Sequence, residues 1–198
     1  MTIRFAFRSI TTCLVVAALT SVANAAETAS STTSPMPSSP AGVFDEARFE
    51  VSASLGAKSD FESGVFLTPS LFFDPFESRG RTGFDKVFHP RLFVAANVSM
   101  ASEASQLMGG LSWRFPTIGP AFVDLGFGGA LTNASLDDDG SRGPGVGSHL
   151  LFHEYLTLGV DLDKSWSLTA TVRHSSNANL APPNNGLTYG GIGIGKRF

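Results

Sequence analysis

The residues best suited to chemistry in this sequence are His174 and Ser176, two positions apart. They close a run of alternating residues at 165–176, which predicts a β-strand. Side chains at positions i and i+2 of a strand point to the same face, about 7 Å apart along the chain. The pattern therefore presents an imidazole beside a hydroxyl, as a general base and its nucleophile require. The alternative is that H-x-S occurs here by chance, in the lipid headgroup zone, where polar residues cost little. The predicted strands and loops around the pair help to distinguish the two interpretations.

The N-terminus predicts export. Arg4 and Arg8 precede a mostly apolar stretch at 10–22, and Ala23-Asn24-Ala25 has the small-x-small form of a cleavage site. The stretch is short for a membrane span, so we expect a signal peptide at 1–25. Residues 26–44 are rich in Ser, Thr and Pro and predict a flexible segment.

Charge and cysteine content exclude several classes of function. The net charge is −3 and becomes more negative without residues 1–25, which argues against a nucleic-acid partner. The single cysteine lies within 1–25, so neither a disulfide framework nor a thiolate metal site is expected. His149 and His153 lack ligands at metal spacing. The Asp137–Asp139 run lacks the other ligands of a calcium loop, which favours a solvated loop and leaves cation binding open.

Residues 45–198 contain turn signals between eight alternating segments of about ten residues or slightly more. These segments are 47–58, 63–73, 88–100, 104–115, 120–132, 147–160, 165–176 and 187–198. In 165–176 the even positions are mostly apolar and the odd positions are polar. Alternation alone fits both a soluble sandwich and a membrane barrel.

Three features favour an all-β, eight-stranded antiparallel transmembrane β-barrel of a Gram-negative outer membrane. The chain is predicted to be exported, the strand number is even, and the last strand ends on Phe198 with Ile192 and Ile194 on the same face. Closing the sheet removes the unpaired edges that hydrocarbon cannot solvate. Eight strands leave an interior that side chains fill, so no pore is expected.

The resemblance to outer-membrane barrels also fixes the orientation. Both termini and the short turns at 116–119 and 161–164 face the periplasm, and the loops at 133–146 and 177–186 face outside. The connection at 74–87 is long for a periplasmic turn, and the sequence gives no reason for it. His174 and Ser176 then lie near the outer leaflet and point toward lipid, where a histidine is costly unless it has a function.

The segment His174-Ser175-Ser176-Asn177-Ala178-Asn179-Leu180, with Asn184, Gly186 and the aromatic C-terminal strand, resembles the PagL-type lipid A 3-O-deacylases. The resemblance is sharpest over 172–198 and extends in pattern over about 45–198. It implies an outer-membrane esterase that acts on lipid A of the outer leaflet lipopolysaccharide, without a cofactor or metal.

Carried over by residue, the resemblance makes Ser176 the nucleophile and His174 the general base. Asn177 would help to bind the oxyanion, with backbone N–H groups near 178 and 179 as further donors. Asn184 matches the family's second asparagine in the loop. Phe152, 22 residues before the histidine, matches an aromatic beside the family's site.

One departure concerns the third member of the triad. The family's acid lies 14 residues after the histidine, and this sequence has Thr188 there. Threonine carries no charge, although it can orient the imidazole as a hydrogen-bond acceptor. Pairing 147–160 with 165–176 places Phe152 opposite His174 and Glu154 opposite Val172. Glu154 then shares the lipid-side face with His174, one diagonal step away, and is our candidate for the missing acid.

Two other functions stay open at this point. A chain that kept the motif and lost the reaction would be a structural or adhesive barrel. A different lipid enzyme, such as an acyltransferase that works inside the barrel, would need His174 and Ser176 to face the lumen.

Overall fold

The computed structural model describes residues 43–56, 60–139 and 142–198. The predicted signal peptide and all but the last two residues of the predicted flexible segment lie outside these ranges. The strands are β1 (Phe44–Ser54), β2 (Phe66–Phe73), β3 (Arg91–Ser99), β4 (Gln106–Pro116), β5 (Ala121–Thr132), β6 (Leu150–Asp161), β7 (Trp166–Ser176) and β8 (Leu187–Arg197). Each strand pairs antiparallel with the next, and β8 pairs with β1. The predicted eight-stranded antiparallel barrel is confirmed.

The strands alternate between an apolar outer wall and a polar lumen. In β7 the side chains of Leu168 and Val172 are exposed on the outside, while Thr169, Thr171 and Arg173 are buried inside. The same period of two runs along the neighbouring strands, as expected for a wall that faces lipid. Within the described ranges, no helix is long and apolar enough to cross a membrane.

The periplasmic half of the lumen is filled by paired charges. Arg48 binds Glu46 at 2.7 Å and Asp124 at 2.5 Å, and Arg91 binds Asp124 at 2.6 Å. Buried charges are tolerated only when they are paired and hydrogen-bonded. Arg173 also faces the lumen, where it binds Glu50.

The external half of the lumen holds a chain of hydrogen bonds. His153 Nδ1 lies 2.9 Å from Ser175 Oγ, which donates to Gln106 Oε1 at 2.7 Å. Gln106 Nε2 donates to the Tyr189 hydroxyl at 3.2 Å, and that hydroxyl donates to Glu62 in the β1–β2 loop. We call these five residues the lumenal chain. It fixes one external loop to the inner faces of four strands.

Two periplasmic connections differ from the sequence prediction. The β2–β3 connection contains two 3-10 helices, Ser78–Gly80 and Gly83–Phe88, so β3 begins at Arg91 rather than at 88. In the β6–β7 turn, Asp163 Oδ1 accepts hydrogen bonds from the backbone N–H groups of Ser165 and Trp166 at 2.6 and 2.8 Å. This Asp-closed turn places Asp161 opposite Ser167 and sets the register of both strands.

Candidate active site on the outer wall

Four strands place four side chains in one row across the outer wall. Phe127 pairs with Glu154, Glu154 with His174, and His174 with Thr188. Residues directly opposite each other in an antiparallel sheet have Cβ atoms about 4.5–5.5 Å apart. The row therefore puts a carboxylate on one side of the imidazole and a hydroxyl on the other.

A second row, nearer the external end, contains Ser176. It runs from Gly129 to Phe152 and from Phe152 to Ser176. Three residues of the first row and two of the second line a groove of about 310 Å³, together with Ala178 from the β7–β8 loop. The five row residues are Phe127, Glu154, His174, Phe152 and Ser176. Most of the exposed lining of this groove is apolar, as an acyl chain would require. Since His174 and Ser176 both face outward, the chemistry implied by the sequence lies on the lipid side of the wall.

The predicted register between β6 and β7 is wrong by two residues. We expected Phe152 opposite His174 and Glu154 opposite Val172, but Phe152 lies opposite Ser176 and Glu154 opposite His174. The cause is the Asp163 turn, which lies one residue later in the chain than expected, at 162–165 instead of 161–164. Moving the centre of a turn by one residue shifts every pair of the two strands by two residues. The shift brings Glu154 from a diagonal position to one directly across from the histidine.

The imidazole of His174 is held from two sides. Its Nδ1 lies 2.8 Å from Thr188 Oγ1, so the residue 14 positions later contacts the ring despite lacking a charge. A Cβ added at Gly186 would lie 2.3 Å from Cε1 of the ring, so the glycine backbone packs directly against it. When Nδ1–H donates to the threonine hydroxyl, Nε2 is left as the proton acceptor.

The side chain of Asn177 is turned away from the groove. It is buried, and its Nδ2 donates to the carbonyl oxygens of Val146 at 2.7 Å and Ala181 at 2.5 Å. Its donors are therefore occupied in holding two external loops together, and they do not point to an oxyanion as the sequence led us to expect. The backbone N–H of Asn177 is also taken, since it donates to Asn184 Oδ1 at 2.9 Å.

The backbone after the nucleophile turns in the left-handed region. Ala178 and Asn179 have φ of 56° and 65°, which is uncommon for residues with a side chain. Asn184 braces this turn, because its Nδ2 also donates to Asn179 Oδ1 at 3.2 Å. The N–H groups of Ala178 and Asn179 have no acceptor among the described residues. They are the donors that this loop leaves available beside Ser176.

Phe127 is the groove residue that the sequence did not assign to the site. Its position beside Glu154 depends on the register of β5 against β6, which the sequence did not reveal.

The Asp137–Asp139 run lies in the β5–β6 loop. There, Asp138 Oδ1 accepts from Gly145 N at 3.0 Å and Asn185 Nδ2 at 2.5 Å, which ties that loop to the β7–β8 loop. Among the described residues, no three His, Cys, Asp or Glu side chains are grouped to hold a metal ion.

The fold and part of the sequence are similar to known proteins. No curated protein sequence matches the chain. The crystal structure of the outer membrane enzyme PagL superposes with a TM-score of 0.60 at 17% identity, covering 76% of this chain and 97% of that one. The N-terminal β-barrel domain of Pseudomonas aeruginosa OprF gives a TM-score of 0.50 at 12% identity, covering 80% of this chain and 99% of that one. The family model of lipid A 3-O-deacylase (PagL) matches residues 76–197, and the chain belongs to this family.

Proposed function

We propose that Ser176 and His174 catalyse hydrolysis of the ester-linked acyl chain at the 3-position of lipid A, in the outer leaflet of the outer membrane. The observation that carries this proposal is the row on the outer wall, where His174 faces lipid with its Nδ1 held by Thr188. Family membership supports the same reaction. The residues at 1–25 would direct export, and the reaction uses no cofactor.

In the first step, Nε2 of His174 takes the proton of the Ser176 hydroxyl as its oxygen attacks the ester carbonyl carbon. The tetrahedral intermediate collapses when the bond to the glucosamine 3-oxygen breaks, and His174 gives the proton to that oxygen. An acyl-Ser176 ester remains. Water then attacks this ester with His174 again as base, which releases the fatty acid and restores the serine.

The oxyanion needs donors placed where its charge develops. We assign this role to the backbone N–H groups of Ala178 and Asn179, in place of the Asn177 side chain. Each such donor contributes about 2.7–4 kcal/mol to lowering the barrier. Asn177 and Asn184 become positioning residues, since they hold the turn that presents these N–H groups.

In this proposal two residues together replace the missing acid of the catalytic triad. Thr188 orients the ring through Nδ1, and Glu154 supplies the negative charge that favours the imidazolium formed during the reaction. The carboxylate acts across the strand pair and through a wall of low dielectric, where charges interact more strongly than in water. Both are positioning residues because neither contacts the reacting atoms.

The substrate would enter from the side, within the membrane. Phe127 and Phe152 flank the groove at Glu154 and Ser176, and their exposed rings would contact the acyl chain. The glucosamine would then lie at the external rim, near the β7–β8 loop. The outward direction of His174 and Ser176 argues against an acyltransferase that works inside the barrel, and no feature of the groove favours a purely structural role.

A test in vitro uses the refolded chain with lipid A in mixed detergent micelles. We expect mass spectrometry to detect the free 3-hydroxy fatty acid and a lipid A lighter by that one chain, with neither product for S176A. Folding of both proteins is checked by the heat-dependent shift of barrels in gels. A folded wild-type barrel that releases no acyl chain, or that releases a chain from another position, would contradict the proposal.

A further inference from the structure

The long connection at 74–90 lies at the end of the barrel where the described chain ends. Asp74 N donates to Val43 O at 2.8 Å, and Arg79 forms an ion pair with Asp45 and contacts the carbonyl oxygen of Phe198 at 3.4 Å. The other connections at this end are the tight turns after β4 and β6. In an outer-membrane barrel the short turns face the periplasm, so this segment lies at the periplasmic rim.

A side chain of the outer wall fixes the segment in place. Trp113 lies at an outward position of β4, between the inward Ser112 and Arg114. Its indole N–H donates to the carbonyl oxygen of Val87 at 2.9 Å. The 3-10 helix Gly83–Phe88 is thus bound near its C-terminal end to the outer wall of the barrel.

The helix has one inward and one outward side. Lys86 is buried, and its ammonium donates to Ser78 O at 3.1 Å. Phe84 and Phe88 stack edge to face with ring centres 5.3 Å apart and remain 77% and 69% exposed. Two exposed phenylalanines on a short periplasmic segment are unfavourable in water, since each ring offers a large apolar area.

The apolar side continues an existing lipid-facing surface. Phe88 precedes β3, whose outward residues Leu92 and Val94 are exposed on the wall. A polar edge borders the rings, where Asp85 binds Arg81 and His89 at 3.3 Å. Apolar rings beside a charged edge are the composition of segments that lie at the boundary of acyl chains and head groups.

We propose that the 74–90 segment is a membrane anchor in the periplasmic leaflet, with Phe84 and Phe88 inserted among phospholipid acyl chains and the Arg81–Asp85–His89 edge among head groups. The occupant of this apolar side is phospholipid, because the segment is bound to the same wall that the membrane already covers. The anchor would fix the depth of the barrel from the leaflet opposite to the candidate site. This inference does not depend on the proposed reaction.

The test uses single-cysteine variants of the full chain in a C13A background, since Cys13 is the only cysteine. Cysteines at Phe84 and Phe88 carry an environment-sensitive fluorophore, and the proteins are reconstituted in phosphatidylcholine–phosphatidylglycerol vesicles. Leu111, on the lipid-facing wall, and Lys164, in the β6–β7 turn, give the matched lipid and water references. We expect nitroxide-labelled phospholipids to quench positions 84 and 88 as strongly as 111, and aqueous iodide to quench mainly 164.

Quenching at 84 and 88 that matches 164 in a folded barrel would overturn the proposal. Weak lipid quenching together with disulfide-linked dimers of the unlabelled F84C protein would also overturn it and assign the surface to a second copy. As a second measurement, F84D/F88D should reduce the fraction of barrel that inserts into vesicles and leave folding in detergent micelles unchanged. Equal insertion by this variant and the parent would contradict the anchor.

Discussion

Two histidine–serine pairs lie back to back on β6 and β7. The inner pair, His153 and Ser175, faces the lumen and is joined at 2.9 Å. The outer pair, His174 and Ser176, flanks Ser175 in the sequence and faces lipid. Both pairs contain the same two types of side chain, the inner pair across β6 and β7 and the outer pair along β7, yet only the outer pair has the surroundings of a site.

The inner pair is closed on all sides. His153 and Ser175 are 1% exposed, and the Ser175 hydroxyl already donates to Gln106. An ester carbonyl has no route to this oxygen, and its proton is committed to the lumenal chain. The outer serine instead opens on a groove with aromatic sides and free backbone donors nearby. A histidine beside a serine therefore marks a site only where a substrate can reach the serine oxygen.

Replacing each histidine in turn should give the largest difference in kcat between the two pairs. H174Q should lower kcat for lipid A deacylation by at least about 10³-fold, because it removes the base. H153Q should leave kcat within a few-fold and affect mainly the stability of the barrel, since its amide still bonds within the lumen. Release of labelled fatty acid from lipid A micelles measures both. Equal losses of kcat in the two folded variants would contradict the claim that only the outer pair forms the active site.

Displacing the imidazole of His174 should have the next largest effect on kcat. In G186A the new Cβ would lie 2.3 Å from His174 Cε1, so the ring must move. A shift of about 1 Å at a catalytic base lowers the rate by roughly 10²-fold. G80A is the matched control, because a Cβ at Gly80 meets no atom within 4 Å. Unchanged kcat in G186A would show that the ring does not need the position described here.

If Thr188 and Glu154 together replace the acid of the triad, changing either one should lower kcat by a smaller factor, and a carboxylate placed at 188 should restore activity. T188V removes a hydrogen bond of about 1 kcal/mol, which corresponds to roughly a fivefold loss of kcat. E154Q should lower kcat by about tenfold through loss of the charge that stabilises imidazolium. Because T188E restores a carboxylate at the histidine, it should recover the activity of E154Q. If E154Q retains full activity, Glu154 has no part in the reaction.

The last prediction concerns the stability of the barrel rather than its activity, at the external end of the lumenal chain. Burial raises the pKa of Glu62 to about 7, above its usual value of 4.5. The folded state then keeps a proton that the unfolded chain releases, so stability falls as pH rises from 4.5 to 7 and is constant beyond. E62Q should remove this dependence in urea unfolding. In E103Q it should persist, because hydrogen bonds from Ser63 lower the pKa of Glu103 and its contribution is lost at low pH instead.

The sequence predicted the barrel because alternation is a local property. The outward direction of His174 followed from parity in one strand, and the strand ends differ by only a few residues from those expected. The register of β6 against β7 depended on the turn between them. There, Asp163 binds two backbone N–H groups and moves each pair by two residues, which the alternation of the flanking strands does not reveal.

The loops explain the remaining differences. The amide of Asn177 bonds to Val146, 31 residues earlier in the chain, so its direction depends on how two loops meet. The role of the 74–90 connection depends on one hydrogen bond, which the indole of Trp113 donates to Val87, 26 residues earlier in the chain. Such contacts join distant parts of the chain and leave no periodic pattern. Residue type indicated that Asn177 matters, and only the structure indicated how.

The most direct test of the account compares S176A with S175A, neighbours on opposite faces of one strand. Each is expressed in cells beside the wild type, and lipid A is analysed by mass spectrometry after folded barrel is verified in the outer membrane. We predict that wild type and S175A remove one 3-hydroxyacyl chain and that S176A leaves lipid A intact. If S176A still removes the acyl chain from lipid A, or if lipid A stays intact with all three proteins, the assignment of the outer pair as the active site is contradicted.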